Sequence, residues 1–318
     1  MDTQFFLAAN SGRGFRSFYD GFPGEGAFLH ILKGGPGTGK SSFLKSIRAR
    51  AAELGYDTES ILCSGDPDSL DGLYIPALGL AWADGTAPHA LEPRIFGMDA
   101  DYMNLGRFCR PLDKTAGKRA AELHTAYKEQ YRQAYALLRG ALALEEAGAL
   151  PPTAEELEAA EKLIREALSA LPEGGPGTRQ EERGFLSAIS CRGLLRLEET
   201  LRQLGPGRVL LPGPSAALET AARLAAERGR RVIRCLRPLN PEETEAVILP
   251  EAGIAFLAEK WENREGALRD AVCARAVGRL REAKRLHDEL EAVYRPFVDF
   301  AALTDFTEST LQKLFPEE

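Results

Sequence analysis

His30-Ile31-Leu32-Lys33-Gly34-Gly35-Pro36-Gly37-Thr38-Gly39-Lys40-Ser41-Ser42 is the stretch on which the fold of this chain turns. It satisfies G-x-x-x-x-G-K-[ST], with Gly34, Gly39, Lys40 and Ser41 at the fixed positions. The apolar run 27–32 predicts a buried strand before it, and 42–50 predicts a helix after it. Each residue type has its own reason. The glycines, with Pro36, Thr38 and Ser42 completing the loop, let consecutive backbone N–H groups turn inward where a side chain would clash. The start of the helix adds partial positive charge at the same point. Lys40 can reach the β- and γ-phosphates, and the Ser41 hydroxyl can hold Mg²⁺. The stretch therefore predicts a nucleoside triphosphate site.

The 318 residues suggest about two domains, and 44% hydrophobic with 27% charged residues describes an ordinary globular composition. A formal net charge of −7 argues against a broad nucleic-acid or anionic-membrane surface. The start, Met1-Asp2-Thr3-Gln4, has no basic n-region, and no apolar run approaches the ~20 residues of a membrane helix. Cys63, Cys109, Cys191, Cys235 and Cys273 are scattered without a C-x-x-C pair, as expected for free thiols in a cytoplasmic protein.

Working outward from the loop, 4–9 and 58–63 read as strands, 66–71 as an acidic turn and 78–84 as an apolar strand ending in Asp84. Strand–helix–strand spacing of this kind predicts a parallel sheet. From about 112 to 171 the chain is helical in pattern. Leu123, Tyr127, Tyr131, Tyr135 and Leu138 share one face and read as a packing surface. Pro151-Pro152 breaks that helix, and Thr153-Ala154-Glu155-Glu156 is a capping signal for a second one. Residues 172–177 read as a linker.

After the linker the pattern begins again. Residues 184–193 align with 5–14, 240–250 with 66–76, and 253–257 with 79–83. Opposite the glycine-rich loop stands Pro212-Gly213-Pro214-Ser215-Ala216-Ala217-Leu218-Glu219, with Leu218 in place of the lysine and Glu219 in place of the hydroxyl. Both changes oppose phosphate binding. Ala258 stands opposite Asp84. The expectation is an α/β chain of two domains, 1–172 (with a helical appendage at 112–171) and 173–318, the second degenerate and ending in a helical segment.

Asp84 sits where a second carboxylate can hold Mg²⁺, or it caps the Gly85-Thr86 turn. Asp66, Asp68 and Asp71 can orient water, metal or an acceptor, or serve as turn residues. His89 and Glu92, in the loop after Asp84, are acid/base or acceptor-positioning candidates, against surface roles. Arg13 and Arg110 can neutralise transition-state charge or be solvated. Arg230, Arg231, Arg234 and Arg237 form either a solvated edge or an arginine finger within the chain.

With these residues assembled, the chain resembles a bacterial family of duplicated P-loop ATP-binding proteins, described as ATPases or as nucleotide kinase-like. The resemblance rests on 5–8, 13–15, 32–41, 68–72, 75–78 and Asp84-Gly85-Thr86-Ala87-Pro88-His89. It implies two tandem P-loop NTPase-like parallel-sheet domains, ATP and Mg²⁺ as ligands, and ATP hydrolysis or phosphoryl transfer to a small acceptor. In that family both repeats commonly carry the loop, from which Leu218 and Glu219 depart. Catalysis is expected at Lys40, Asp84, His89 and Glu92, phosphate binding at Gly34–Ser42 including Gly35 and Gly37, and metal binding at Ser41 and Asp84. The alternative is a nucleotide-gated module whose helical appendages engage a protein partner. A nucleic-acid motor is opposed by the acidic balance.

Overall fold

A computed structural model describes residues 1–87, 90–172, 181–213, 215–258 and 266–316. Along the chain run β1 (Asp2–Phe5), β2 (Ala8–Ser11), β3 (Gly14–Ser17), β4 (Phe28–Lys33), α1 (Lys40–Glu53), β5 (Thr58–Leu62), β6 (Leu70–Ile75), β7 (Leu80–Asp84), β8 (Ala100–Asn104), α2 (Lys114–Gly148) and α3 (Ala154–Ser169). There follow β9 (Glu181–Gly184), β10 (Ser187–Ser190), β11 (Gly193–Arg196), α4 (Glu198–Leu204), β12 (Gly207–Leu211), α5 (Ala216–Glu227), β13 (Val232–Leu236), β14 (Thr244–Leu249), β15 (Ile254–Ala258), α6 (Ala267–Tyr294) and α7 (Phe300–Leu314). The fold is mixed α/β. Among the described residues no helix is long and apolar enough to cross a membrane.

The chain divides into two compact units, each assembled from separate stretches. Unit 1 comprises Met1–Gln4, Phe22–Gln133 and Gly278–Glu318, and unit 2 comprises Phe5–Gly21 and Ala134–Val277.

Unit 1 is built on a sheet of order β1-β5-β6-β7-β4-β8. The expectation of a parallel sheet is corrected here. β4 runs parallel to β7 and β8, but β5–β6 and β6–β7 are antiparallel. Residues 63–69 and 76–79 are the only links between β5, β6 and β7, too short for the crossover a parallel pair requires. β6 and β8 are strands where the sequence pattern predicts none, and the predicted strand at 4–9 is divided between β1 and β2.

Phe43, Leu44, Ile47 and Ala51 of α1 recur at helical spacing and are all buried. They pack with Leu32, Leu73, Ile75 and Trp82 of the sheet, and with Leu303 and Phe315 from the end of the chain. The Phe43 and Phe306 rings stack at 5.9 Å. Burying a side chain such as Ile47 contributes about 1.5–3 kcal/mol, so this face anchors the start of α1 firmly. In the same unit Ala120 and Leu123 of α2 pack on Leu286 and Leu290 of α6. Tyr127 meets His287 edge to face at 5.6 Å. In unit 1 the aromatic stripe is therefore a packing surface.

Unit 2 holds a sheet of order β12-β15-β14-β13-β9, with β12–β15 and β13–β9 parallel and the two central pairs antiparallel. It also holds the hairpins β2–β3 and β10–β11. Phe6 and Phe185 exchange backbone hydrogen bonds at 3.0 and 2.8 Å, and Asn10 donates to the Ile189 carbonyl at 3.0 Å. Ile164 and Leu168 of α3, Leu218 and Ala221 of α5, and Val247 and Phe256 of the sheet form its core. The capping box at the start of α3 is formed, Thr153 and Glu156 satisfying each other's backbone N–H.

Five strands of the unit 1 sheet correspond in order to the five of unit 2, and β8 has no counterpart among the described residues. Read from β9, the order β9-β13-β14-β15-β12 parallels β1-β5-β6-β7-β4. The register shift after Ile61 recurs after Cys235. The turn glycines Gly79 and Gly253 adopt the same left-handed conformation, φ 61° and 63°.

Candidate functional site

The loop 34–39 leaves the end of β4 and enters α1, and its glycines answer specific demands. Gly37 and Gly39 have φ of +68° and +83°, a region that costs a residue with Cβ about 1 kcal/mol or more. Gly34 is required by space, because a Cβ there would lie 2.5 Å from Thr38 Oγ1 and 3.2 Å from the Gly106 nitrogen. Thr38, itself buried, donates its hydroxyl to the Gly35 carbonyl at 2.8 Å and closes the loop. No side chain caps the N-terminus of α1, so no side-chain oxygen competes there with an external anion.

Lys40 extends back across this loop. Its Nζ donates to the Gly34 carbonyl at 2.8 Å and the Gly35 carbonyl at 3.1 Å, and lies 3.6 Å from Asp84 Oδ2. Both side chains are largely buried, at 13% and 16% exposure. Ser41 Oγ accepts from the Leu70 backbone N–H at 3.0 Å, so the first turn of α1 is tied to β6. Asp84 Oδ1 accepts from the Thr86 N–H and hydroxyl at 2.8 and 2.6 Å. One oxygen of Asp84 thus caps the turn while the other faces Lys40. Burial pushes the Asp84 carboxyl above its ordinary range, Lys40 pulls it down, and the buried neighbour Asp71 pushes it up again. Ser41 and Asp84 supply oxygen donors of the kind a hard divalent cation takes.

The loop is also covered by the end of the chain within unit 1. A Cβ on Gly39 would lie 2.6 Å from Leu303 Cδ2, one on Gly37 3.2 Å from the Glu291 carbonyl, and one on Gly35 3.5 Å from the Tyr294 ring. Beside it, Asp66 accepts from the Ser69 hydroxyl at 3.0 Å and lies 3.4 Å from Lys284 Nζ. Among the described residues, His287, Asp288 and Glu291 also place metal-type ligand atoms within 4.8 Å of one another, but Lys284 already pairs with Asp288 there.

Glu92 belongs to a different group. It is exposed, accepts from the Tyr102 hydroxyl and lies 3.6 Å from Lys33, whose Nζ donates to the carbonyls of Gly85 at 2.9 Å and Leu91 at 3.0 Å. The Tyr102 hydrogen bond, helped by Lys33, holds the Glu92 carboxyl below its usual range. His89 lies outside the described residues. Asp71, of the acidic turn 66–71, neighbours Asp84, whereas Lys33 and the His30–Asp101 pair at 2.7 Å are polar features of unit 1 that the sequence pattern did not single out. Only Lys33, adjoining Gly34, carried a positional signal.

Arg13 is paired with Glu146 and Glu242 in unit 2. Of the unit 2 arginine cluster, Arg230 is buried with its Nη2 lacking a hydrogen-bond partner among the described residues, while the other three are occupied by carboxylates. Arg231 grips Glu182 through two bonds of 2.7 and 3.0 Å, Arg234 binds Glu219 and Glu181, and Arg237 binds Glu145 and Glu243. In place of the lysine, Leu218 is wholly buried in the core of α5, and in place of the serine, Glu219 accepts from Thr244 and Arg234. The charge of Glu219 is thus met by Arg234 of β13. All five cysteines are free. Comparison with family models, with curated proteins and with solved structures finds no match.

Proposed function

We propose that unit 1 binds Mg-ATP at Gly34–Ser41 and hydrolyses it or passes its terminal phosphoryl group to a small acceptor, while the related loop of unit 2 is silent. The reading is carried by one observation above all. Lys40 is held across its own glycine loop by the Gly34 and Gly35 carbonyls, with Asp84 at 3.6 Å and Ser41 one residue into the same helix. A cation kept this dry gains strongly from a polyphosphate, which presents more negative charge than two carbonyls and a shared carboxylate. The positive-φ glycines and the uncapped start of α1 add backbone N–H groups to the same cradle.

In this account Lys40 binds the phosphates, and Ser41 and Asp84 would hold Mg²⁺, which when bound offsets charge on the phosphate oxygens. Asp71 sustains the negative field around Asp84. Glu92, ionised and anchored to Lys33, is a candidate for positioning an acceptor and not for donating a proton. The matched strand order of the two sheets and the shared Gly79/Gly253 turn support a duplicated fold, in which Leu218 and Glu219 mark the copy without chemistry. Purified protein given Mg-ATP should release phosphate, alone or with an acceptor, and Lys40→Ala should abolish release. Absence of turnover with every acceptor class tried would reject the enzymatic reading.

A second reading draws on the cover of the loop by Glu291, Tyr294 and Leu303. If nucleotide acts by gating these helices for a protein partner, binding will be tight, turnover negligible, and proteolytic cleavage near 291–303 nucleotide-dependent.

A further inference from the structure

Beyond the phosphate loop, unit 1 carries a surface groove of about 540 Å³ whose walls include Arg107, Phe108, Arg110, Phe297, Asp299 and Ala302. The two walls are tied by backbone bonds, Arg110 N–H to the Phe297 carbonyl at 2.9 Å and Asp299 N–H to the Phe108 carbonyl at 2.8 Å. The groove is thus ordered before any ligand arrives. Each arginine lies against a phenylalanine: Arg107 Cζ is 4.8 Å from the Phe108 ring centre and 4.5 Å from that of Phe306, and Arg110 Cζ is 4.8 Å from that of Phe297. Stacking of this kind fixes the guanidinium plane and leaves its N–H edge for an in-plane acceptor.

These two arginines also lack a counter-charge. Among the described residues neither has a carboxylate partner, whereas Arg13, Arg231, Arg234 and Arg237 all do. Arg110 spends one nitrogen on the Pro296 carbonyl at 3.2 Å. The one carboxylate of the groove, Asp299, accepts from the Ala302 N–H at 3.0 Å as the cap of α7 and is committed there. Two exposed guanidinium groups laid against aromatic faces suit a phosphate monoester carrying a planar group.

The groove shares its supports with the phosphate loop. The turn that bears Arg107 packs through Gly106 on Gly34, and the helix that bears Ala302 packs through Leu303 on Gly39. We propose that this groove is an oxyanion site for a small phosphate monoester, the second substrate of unit 1. The role as second substrate rests on the nucleotide reading above; the oxyanion binding does not.

Calorimetric titration of the full chain with phenyl phosphate, with phenol as control, tests it. Phenyl phosphate should bind one site per chain and phenol should not. Arg107→Gln with Arg110→Gln, both at exposed positions, should weaken phenyl phosphate at least tenfold with unchanged thermal melting, while Lys40→Ala should leave it unaltered. Unchanged affinity in the double variant, or an equal loss in Lys40→Ala, overturns the groove. If Mg-ATP fails to bind the wild type while the phenyl phosphate results hold, the nucleotide reading falls and the oxyanion site stands.

Discussion

Replacing Gly39 by alanine isolates the geometry on which the loop depends. The residue sits at φ +83°, where an added Cβ costs about 1–2 kcal/mol of backbone strain. That Cβ would also lie 2.6 Å from Leu303 Cδ2, a buried atom of the α1–α7 packing, and forcing such a contact costs roughly 1–3 kcal/mol. The two add to about 2–5 kcal/mol against unit 1. Trp82 is fully buried in that unit's core and reports its unfolding in urea once the second tryptophan, Trp261, is changed to phenylalanine. Leu303→Ala separates the terms. Alone it should cost about 2–3 kcal/mol, but in the Gly39→Ala background it should cost about 1–2 kcal/mol less, because it also removes the collision. A Gly39→Ala variant as stable as wild type would refute both the left-handed geometry and the seating of α7 on the loop.

Three further outcomes follow from other sites. Burial raises the Glu245 carboxyl to about 7, against which Ser187 and Arg196 act more weakly. The folded state therefore holds a proton that the unfolded chain releases near 4.5, so unit 2 is most stable below that value and loses about 3 kcal/mol as pH rises through 7. Glu245→Gln should flatten this slope in urea titrations at pH 5 and 8, and an unchanged slope would place the titration elsewhere. Arg237→Ala should destabilise unit 2 by about 3–5 kcal/mol by chemical denaturation, because Glu145, buried and 2.9 Å away, loses a close charge partner; a loss under 1 kcal/mol would show that the pair is dispensable. Glu291→Gln removes a negative charge from the helix lying on Gly37 and should tighten Mg-ATP roughly two- to fivefold at low salt, an effect fading as salt is raised.

How much of this was legible in the sequence depends on whether the cause was local. The strand before Gly34, the helix after it and the capping box at Thr153 rest on neighbouring residues, and each formed as the pattern indicates. The matching of 240–250 to 66–76 reappears as β14 against β6, with the same short turn after each. β6 itself was hidden by Asp71-Gly72, which reads as a turn. Its strand character comes from lying between β5 and β7, a tertiary cause. β8, Ala-Asp-Tyr-Met-Asn, shows no apolar alternation and is held by pairing with β4. Of the candidate site, the loop, Lys40, Ser41 and Asp84 were readable from spacing. That Leu303 would press on Gly39, or that Glu219 would be bound by Arg234, was not, because each pair meets only through the packing of different elements.

The central claim is one triphosphate site per chain, dependent on Lys40. Isothermal titration of Mg-ATP into the wild-type chain and into Lys40→Ala measures it most directly. The account requires a stoichiometry of one nucleotide per chain and at least a hundredfold weaker binding in Lys40→Ala, with Leu218→Lys leaving the stoichiometry at one because Glu219, held by Arg234 and Thr244, still stands in place of the hydroxyl. Binding of two nucleotides, or affinity unchanged by Lys40→Ala, would contradict it.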